Sequence, residues 1–555
     1  MKVMIISSSL LFLITAPSAA QAIGGESEIH HQFYGNHAWE EFGHSVQAAG
    51  DYNQDGFDDL IIGRRLDSPG GLTYAGSVQI LSGIDGTVLQ QWNGAAAGDE
   101  FGSAVAVLGD VDADGVDDFL IGANKASGSI ANSGMAFVYS GATGAVLLQV
   151  EGEESWSRFG YFLESCPDLN GDGIPDFQVA APSYYGGAVY SRGAMYVYSG
   201  ADGSLLYFKH YSPYGSFVTD VDGDNIDDFI IGNPWYESSR FRPAEGRADL
   251  YSGADGSWIQ EWIGQGSYCM LGAAVGRISD RNQDGIDDIA ISEIGRTSGL
   301  IRIFSGADPN QELQSIHPPA QSAIFGAGFA QISDWNQDGI ADYLVTDPNF
   351  SGSSTPYIGR GMIISGADDS MLHSWVGASA SDLLGSICAP AGDLNGDGIP
   401  EVILGNANLE SGGLVNAGYV GVYGYNPFLY LDEPQLSAAA GGSVSLNMQF
   451  PSSQAGHNYK VLITSSGIGE YNFGATIPLA YSPMLVQTFF GNYPITSSQA
   501  QGTLDGNASA TCSFAIPAGA ASSWVGHTFH MAAITQIIGS AAELSSGAVG
   551  VTITP

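Results

Sequence analysis

Short apolar runs bounded by glycine and polar residues recur along most of the chain, and no stretch between them carries the 3.6-residue spacing of an amphipathic helix. One such run, LIIG after Asp59, follows the polar stretch that opens at Asp51; FLIG, FIIG and VILG stand in the same relation to later acidic stretches. A second run (GSVQIL, GMAFVY, GAMYVY) comes after a segment of variable length. Behind it stands a Gly- and Asp-rich turn, read in order as SGIDG, SGATG, SGADG, SGADG, SGADP and SGADD. Such a turn predicts a hairpin into a further strand. Each unit opens with Phe42-Gly43, Phe101-Gly102, Phe159-Gly160, Tyr214-Gly215, Leu271-Gly272, Phe325-Gly326 or Leu384-Gly385, and a short strand-like segment follows the pair.

The pattern predicts four short strands per unit and seven units, with acidic stretches starting at Asp51, Asp110, Asp168, Asp220, Asp280, Asp334 and Asp393 at spacings of 52 to 60 residues. This is the sequence form of an all-β, seven-bladed β-propeller. A parallel β-helix, the main rival, has shorter rungs and does not account for the ends of the repeat. The seventh unit stops at GYVGVYGYNP without a fourth strand, while Glu28 to Gly43 aligns with Thr87 to Gly102, Phe33 over Trp92 and Phe42 over Phe101. Residues 29–35 are therefore expected to supply the outer strand of the last blade, which closes the ring and removes two sheet edges. The propeller is expected over 23–428.

Each acidic stretch places side-chain oxygens at positions 1, 3, 5 and 9. They are Asp51, Asn53, Asp55 and Asp59; Asp110, Asp112, Asp114 and Asp118; Asp168, Asn170, Asp172 and Asp176; and Asp220, Asp222, Asp224 and Asp228. The last three sets are Asp280, Asn282, Asp284 and Asp288; Asp334, Asn336, Asp338 and Asp342; and Asp393, Asn395, Asp397 and Glu401. Calcium takes six to eight hard oxygens in a tolerant geometry, and glycine at position 6 makes the sharp turn. Six loops have that glycine, and the fourth has Asn225, the next best residue for a left-handed backbone. An EF-hand is excluded, because position 12 of the first loop is Ile62, inside a strand, and flanking helices are absent. Asx-rich turns without metal would crowd three or four carboxylates together seven times over with nothing to offset their repulsion. Mg²⁺ demands a stricter octahedron and keeps its waters. About seven structural calcium ions are expected.

The Phe-Gly opening, the acidic loop and closing segments such as Ala180-Ala181-Pro182 and Gly232-Asn233-Pro234 resemble the FG-GAP repeat family, best known from the propellers of integrin alpha subunits. The resemblance runs over about residues 29 to 425. It implies a calcium-stabilised propeller used for extracellular binding and adhesion, of the bacterial secreted type. The chain departs from integrins in carrying the loop in all seven units and in lacking an apolar run long enough for a membrane helix beyond the N-terminus.

Composition sharpens this reading. A formal charge of −42 disfavours nucleic acid and anionic membranes and favours bound cations. The opening MKVMIISSSLLFLITAPSAAQA reads as a secretory signal cleaved after Ala22, the alternative being a buried N-terminal element. Secretion or the cell surface is the expected location. Cys166, Cys269, Cys388 and Cys512 share no spacing and are expected as free thiols, although one disulfide stays open.

No hydrolase elbow, zinc-protease helix or phosphate-binding glycine motif is present, so no catalytic residue and no further cofactor site is assigned. An extracellular polysaccharide-active enzyme and a structural envelope component remain the alternatives to a ligand-binding module. Partner recognition is expected on the loops opposite the acidic ones. They collect Arg64, Arg65, Lys125, Arg192, Arg240, Arg242, Arg247, Arg296 and Arg360 with Tyr74, Tyr184, Tyr185, Tyr190, Trp235, Tyr236, Phe241 and Tyr357. That predicts an aromatic, relatively basic face for an extracellular glycan or protein, unless these residues only pack over blade edges.

After Pro427 the repeat stops. GGSVSLNMQF, YKVLITSS, MLVQTFF, ATCSFAIP, TFHMAAITQI and GAVGVTITP predict about seven strands over 429–555, an immunoglobulin-like or related β-sandwich without the antibody-type disulfide.

Overall fold

The structure, a computed structural model, describes residues 26–184, 193–210, 214–239, 241–295, 299–318, 322, 324–336, 340–352, 355–394, 399–426, 428–431, 435–450, 452–466, 471–473, 475–477, 479, 482–490, 493, 496–519, 522–536, 544–546 and 549–554. The expected leader 1–22 and Asp338, Asn395 and Asp397 lie outside these residues, as do Arg192, Arg240, Arg296, Tyr185 and Tyr190. Contacts divide the chain into two compact units, one of Glu26–Asp369 and Ser374–Asn426, the other built from Pro427–Pro555.

The first unit consists of seven four-stranded antiparallel sheets. Blade one is Phe42–Gly50, Asp59–Arg64, Ser77–Leu81 and Val88–Asn93, in that order across the sheet. Blades two to six repeat the arrangement, and the innermost strand of each blade packs on that of the next, with blade seven meeting blade one. This is the predicted seven-bladed propeller. Blade seven takes Ile387–Gly392, Glu401–Asn406 and Tyr419–Asn426 from the end of the repeat and Glu26–Tyr34 from its start. Phe33 lies opposite Val420 and Tyr34 opposite Tyr419.

The second strands are apolar because both of their faces are covered. Leu60, Ile61 and Ile62 in blade one and Phe119, Leu120 and Ile121 in blade two are fully buried between neighbouring sheets. The Phe-Gly pairs tie blade to blade: Phe101 bridges Gly76 of the preceding blade, as Phe42 bridges Gly418 and Phe159 bridges Gly134. A glycine must follow the aromatic. Gly102 has φ +84°, and a Cβ there would sit 2.6 Å from the Ser77 carbonyl oxygen.

Outer strands lock onto the hairpin turn of the following blade. Trp92 Nε1 donates to the Gly144 carbonyl at 3.1 Å, and Trp262 Nε1 donates to the Pro309 carbonyl at 3.1 Å. The Tyr207 hydroxyl donates to the Gly253 carbonyl at 2.6 Å, and His31 Nε2 lies 2.6 Å from the Gly83 carbonyl oxygen. Each lock satisfies a turn carbonyl that a strand ladder cannot reach.

In the second unit, a four-stranded and a six-stranded sheet line one apolar cluster, with Leu446, Met448 and Phe514 from the first and Val461, Met531 and Val551 from the second. One expected strand is a helix: MLVQTFF, from Met484 to Phe490, forms the helix Pro483–Phe489 and its C-cap. Ser482 caps it by accepting the Leu485 N–H, and Pro483 occupies the first turn, where its missing N–H costs nothing. All four cysteines are free thiols, with Cys166 and Cys512 buried.

Candidate metal loops and the opposite loop face

In an antiparallel four-stranded blade the connections after strands one and three share one end, and those after strands two and four share the other. The acidic loops and Gly-Asp turns therefore occupy one face of the propeller. Blade two illustrates the loop. Asp110 Oδ1 accepts the Asp114 N–H at 3.0 Å and Oδ2 the Gly115 N–H at 2.8 Å. Asp112 Oδ1 accepts the Asp114 N–H at 3.2 Å, and Asp114 Oδ1 accepts the Val116 N–H at 3.0 Å. These bonds wind the segment so that side-chain oxygens converge inward. Position 6 takes a left-handed backbone, at φ +95° for Gly56, +93° for Gly115 and +71° for Asn225, as the sequence requires.

Position 9 does more than sequence reasoning assigned to it. Asp118 is fully buried, with Oδ2 accepting the Val111 N–H at 2.8 Å and Oδ1 the Gly141 N–H at 2.9 Å. Gly141 belongs to the hairpin turn between strands three and four, so this carboxylate ties the acidic loop to that turn. Asp59, Asp176, Asp228, Asp288 and Asp342 make the same bond to Gly83, Gly200, Gly253, Gly306 and Gly366. In loop seven, Glu401 Oε2 accepts the Leu394 N–H at 2.7 Å. The serine-glycine of the turn signature was the visible half of this contact. Each carboxylate oxygen keeps a second lone pair for a cation.

Burial pushes Asp59, Asp118, Asp176, Asp228 and Asp288 up from the usual carboxylate range, Asp176 and Asp228 to about 6. The backbone donors pull the other way and do not offset it. A cation favours the ionised form.

Oxygens of Asp110, Asp112 and Asp118 all lie within 4.8 Å of one another, as do those of Asp220, Asp222 and Asp228. Carboxylates at that separation, with all-oxygen donors and a turn to supply a carbonyl, fit calcium. Among the described residues a third such cluster, His37, Glu40 and Asp67, already has a cation. Arg64 reaches Glu40 Oε2 at 2.5 Å and Asp67 Oδ2 at 3.4 Å.

Among the described residues the opposite face does not carry the free basic charge predicted for it. Arg64 and Arg360 are buried, the latter on Asp347 at 3.2 Å. Arg65 pairs with Glu41, Lys125 with Glu100 and Arg242 with Glu245, while Arg247 lies on a strand between Asp249 and Glu261. Each of these cations thus has a carboxylate, and their charge is locally cancelled. Tyr184 is buried against Tyr196 and Phe208, and Tyr236 lies under the Arg247 guanidinium.

What the face does expose is aromatic: Trp39, Tyr74, Trp156, Trp235, Phe241 and Tyr357 are all open to solvent. Four of them hold costly left-handed backbones, Trp39 and Trp156 at φ +65°, Tyr74 at +54° and Tyr357 at +52°. In the link before blade two the residue matching Trp39 and Trp156 is Gly98, at φ +86°. Glycine is the unstrained choice for that turn, so an exposed tryptophan there is retained at a cost of about 1–2 kcal/mol.

Comparison with known proteins agrees with the repeat. The family model described as FG-GAP repeat matches residues 42–81 and 159–198. Integrin alpha-5 of Xenopus laevis is 33% identical over 172 residues, covering 30% of this chain and 16% of that protein. Integrin alpha-V of Gallus gallus is 34% identical over 217 residues, covering 34% of this chain and 20% of that protein. Phosphatidylinositol-glycan-specific phospholipase D of Bos taurus is 30% identical over 173 residues, covering 28% of this chain and 20% of that protein. The chain thus spans a fifth or less of the length of these relatives.

Proposed function

From the premise that this chain carries FG-GAP repeats, we propose that it is a secreted, calcium-loaded β-propeller that binds an extracellular glycan or protein through the loop face opposite its metal loops. Calcium would be held by the oxygens at positions 1, 3, 5 and 9 of each acidic loop. Its task is structural: it lets the converging carboxylates stay ionised and so fixes the hairpin between the first two strands of each blade. The unit after Pro427, read as an immunoglobulin-like sandwich, serves as an accessory module.

The observation that carries the binding face is the set of exposed aromatics held in strained turns. Folding alone gives no return for Trp39 or Trp156 in a position where glycine is strain-free. A ligand that stacks on the rings does. Exposed aromatic area with locally cancelled charge suits sugar faces and apolar side chains better than a polyanion.

A glycan-array and surface-ligand screen of the calcium-loaded chain tests this, repeated with Trp39 and Trp156 changed to Gly. Binding that disappears in the double variant supports the loop face. Binding that survives it, or no binding to any glycan or surface protein, refutes the assignment.

A further inference from the structure

The seven blades serve as controls for one another. Two residues after the position-9 acid, the second strand carries Ile61, Leu120, Gln178, Ile230, Ala290, Leu344 and Ile403, all essentially without solvent exposure. Six are apolar, and Gln178 in blade three is the exception. The residues opposite them on the innermost strands are Gln47, Ala106, Glu164, Ser216, Gly276, Ala330 and Ala389. Blade three alone therefore places two polar side chains, a carboxyl and an amide, directly opposite each other; in every sister blade at least the second-strand residue is apolar. Gln47 of blade one has a partner, since its Oε1 accepts the Val107 N–H at 3.0 Å.

The blade-three pair is poorly satisfied. Glu164 Oε1 accepts from the Ser216 hydroxyl of blade four at 2.9 Å. Glu164 Oε2 and both the Oε1 and Nε2 atoms of Gln178 are buried with no hydrogen-bond partner. Gln178 Oε1 points at blade four, where it lies 3.2 Å from the place a Cβ on Gly215 would take. Glu164 and Gln178 thus face each other across the two strands with an orphaned oxygen each, while the Ser216 hydroxyl is engaged on Glu164 Oε1. Glu164 and Ser216 also line a cavity of about 800 Å³ among the innermost strands of blades three to six, which gives the site a route to the central channel.

We infer that the orphaned oxygens of Glu164 and Gln178 form a site for one monovalent cation in the wall of the central channel, with the Ser216 hydroxyl holding the carboxylate in place. The donors are all hard oxygens, which match an alkali-metal ion. One carboxylate supplies one negative charge, so the set balances a single positive charge and not the divalent ion suited to the acidic loops. Burial pushes the Glu164 carboxyl up to about 8, so in the empty site it holds a proton that an entering cation displaces. The inference is independent of any ligand on the loop face.

The test is a crystal of the mature chain grown in calcium and soaked in rubidium chloride, with anomalous data collected at the rubidium edge. An anomalous peak about 3 Å from Glu164 Oε2 and Gln178 Oε1 is the expected result. Density there without anomalous signal means a buried water only and overturns the inference. In solution, the calcium-saturated protein is melted in rubidium or sodium chloride and in N-methylglucamine chloride at equal ionic strength. The wild type should gain about 2 °C or more from the inorganic cation. Gln178→Leu, which restores the residue of blade two, should show no such gain; an equal gain in both proteins overturns the inference. Should Gln178→Leu fail to fold, Glu164→Gln takes its place in the same comparison.

Discussion

Two aspartates of one loop should respond to substitution in opposite ways when calcium is removed. Asp118 is buried and accepts two backbone N–H groups, those of Val111 and Gly141. Changing Asp118 to Ala leaves both without an acceptor, at about 1–3 kcal/mol each, or about 2–6 kcal/mol in total. This cost is present with or without metal. Asp114 is exposed; its Oδ1 accepts the Val116 N–H at 3.0 Å and its Oδ2 the Ser140 hydroxyl at a long 3.4 Å. Asp114→Ala should cost about 0.5–1 kcal/mol in a chelator. In calcium at a hundred times its dissociation constant, wild type gains about 2.7 kcal/mol from each independent site. Loss of the Asp114 ligand removes that increment from blade two, so Asp114→Ala becomes clearly destabilising only when calcium is present. Denaturant unfolding of wild type and both variants, in chelator and in calcium, gives the four differences needed. Equal behaviour of Asp114→Ala and wild type in calcium would refute a metal in this loop. A neutral Asp118→Ala in chelator would refute the turn-anchoring role.

Other consequences are open to direct measurement. Trp92→Phe removes the Nε1–H bond to Gly144 together with the second ring of a buried indole, so it should cost about 2–4 kcal/mol in thermal or denaturant unfolding; Trp262→Phe should match it. Glu41 accepts from Arg65 Nε at 3.0 Å and Nη2 at 2.6 Å. Burial raises its carboxyl, but the His44 hydrogen bond and the Arg65 charge outweigh that and hold it below the usual range. A lowered carboxylate stabilises the fold above its ordinary titration range and loses that contribution as pH falls. Glu41→Gln should therefore destabilise by about 1.5–3 kcal/mol at pH 7, with the difference shrinking as pH falls below the usual carboxylate range and the carboxylate takes up its proton. Trp235→Ala and Phe241→Ala should change melting temperature little, since both rings are exposed, while abolishing partner binding.

The propeller was legible because the repeat carries its own alignment. Seven openings of Phe, Tyr or Leu before glycine, seven acidic loops and a two-strand apolar pattern left one architecture, and among the described residues the glycines and Asn225 at position 6 adopt the left-handed backbone their chemistry called for. Residues whose partners come from distant segments were harder to read. Asp59 and its equivalents look like metal ligands alone until the turn glycine, Gly83 in blade one, is seen to donate to them. The arginines of the variable loops read as free charge because Glu41, Glu100 and Asp347, which cancel them, lie elsewhere in the sequence. Gln178 and Glu164 are set opposite each other only by the strand register, which the repeat alone does not give. MLVQTFF has the composition of a strand, and the Ser482-Pro483 start signal in front of it is what makes it a helix.

Metal content of the dialysed mature chain tests the central claim most directly. Plasma emission analysis should find about seven calcium ions per chain, one for each acidic loop. Fewer than about three, with the fold intact, would contradict the assignment of the loops as calcium sites.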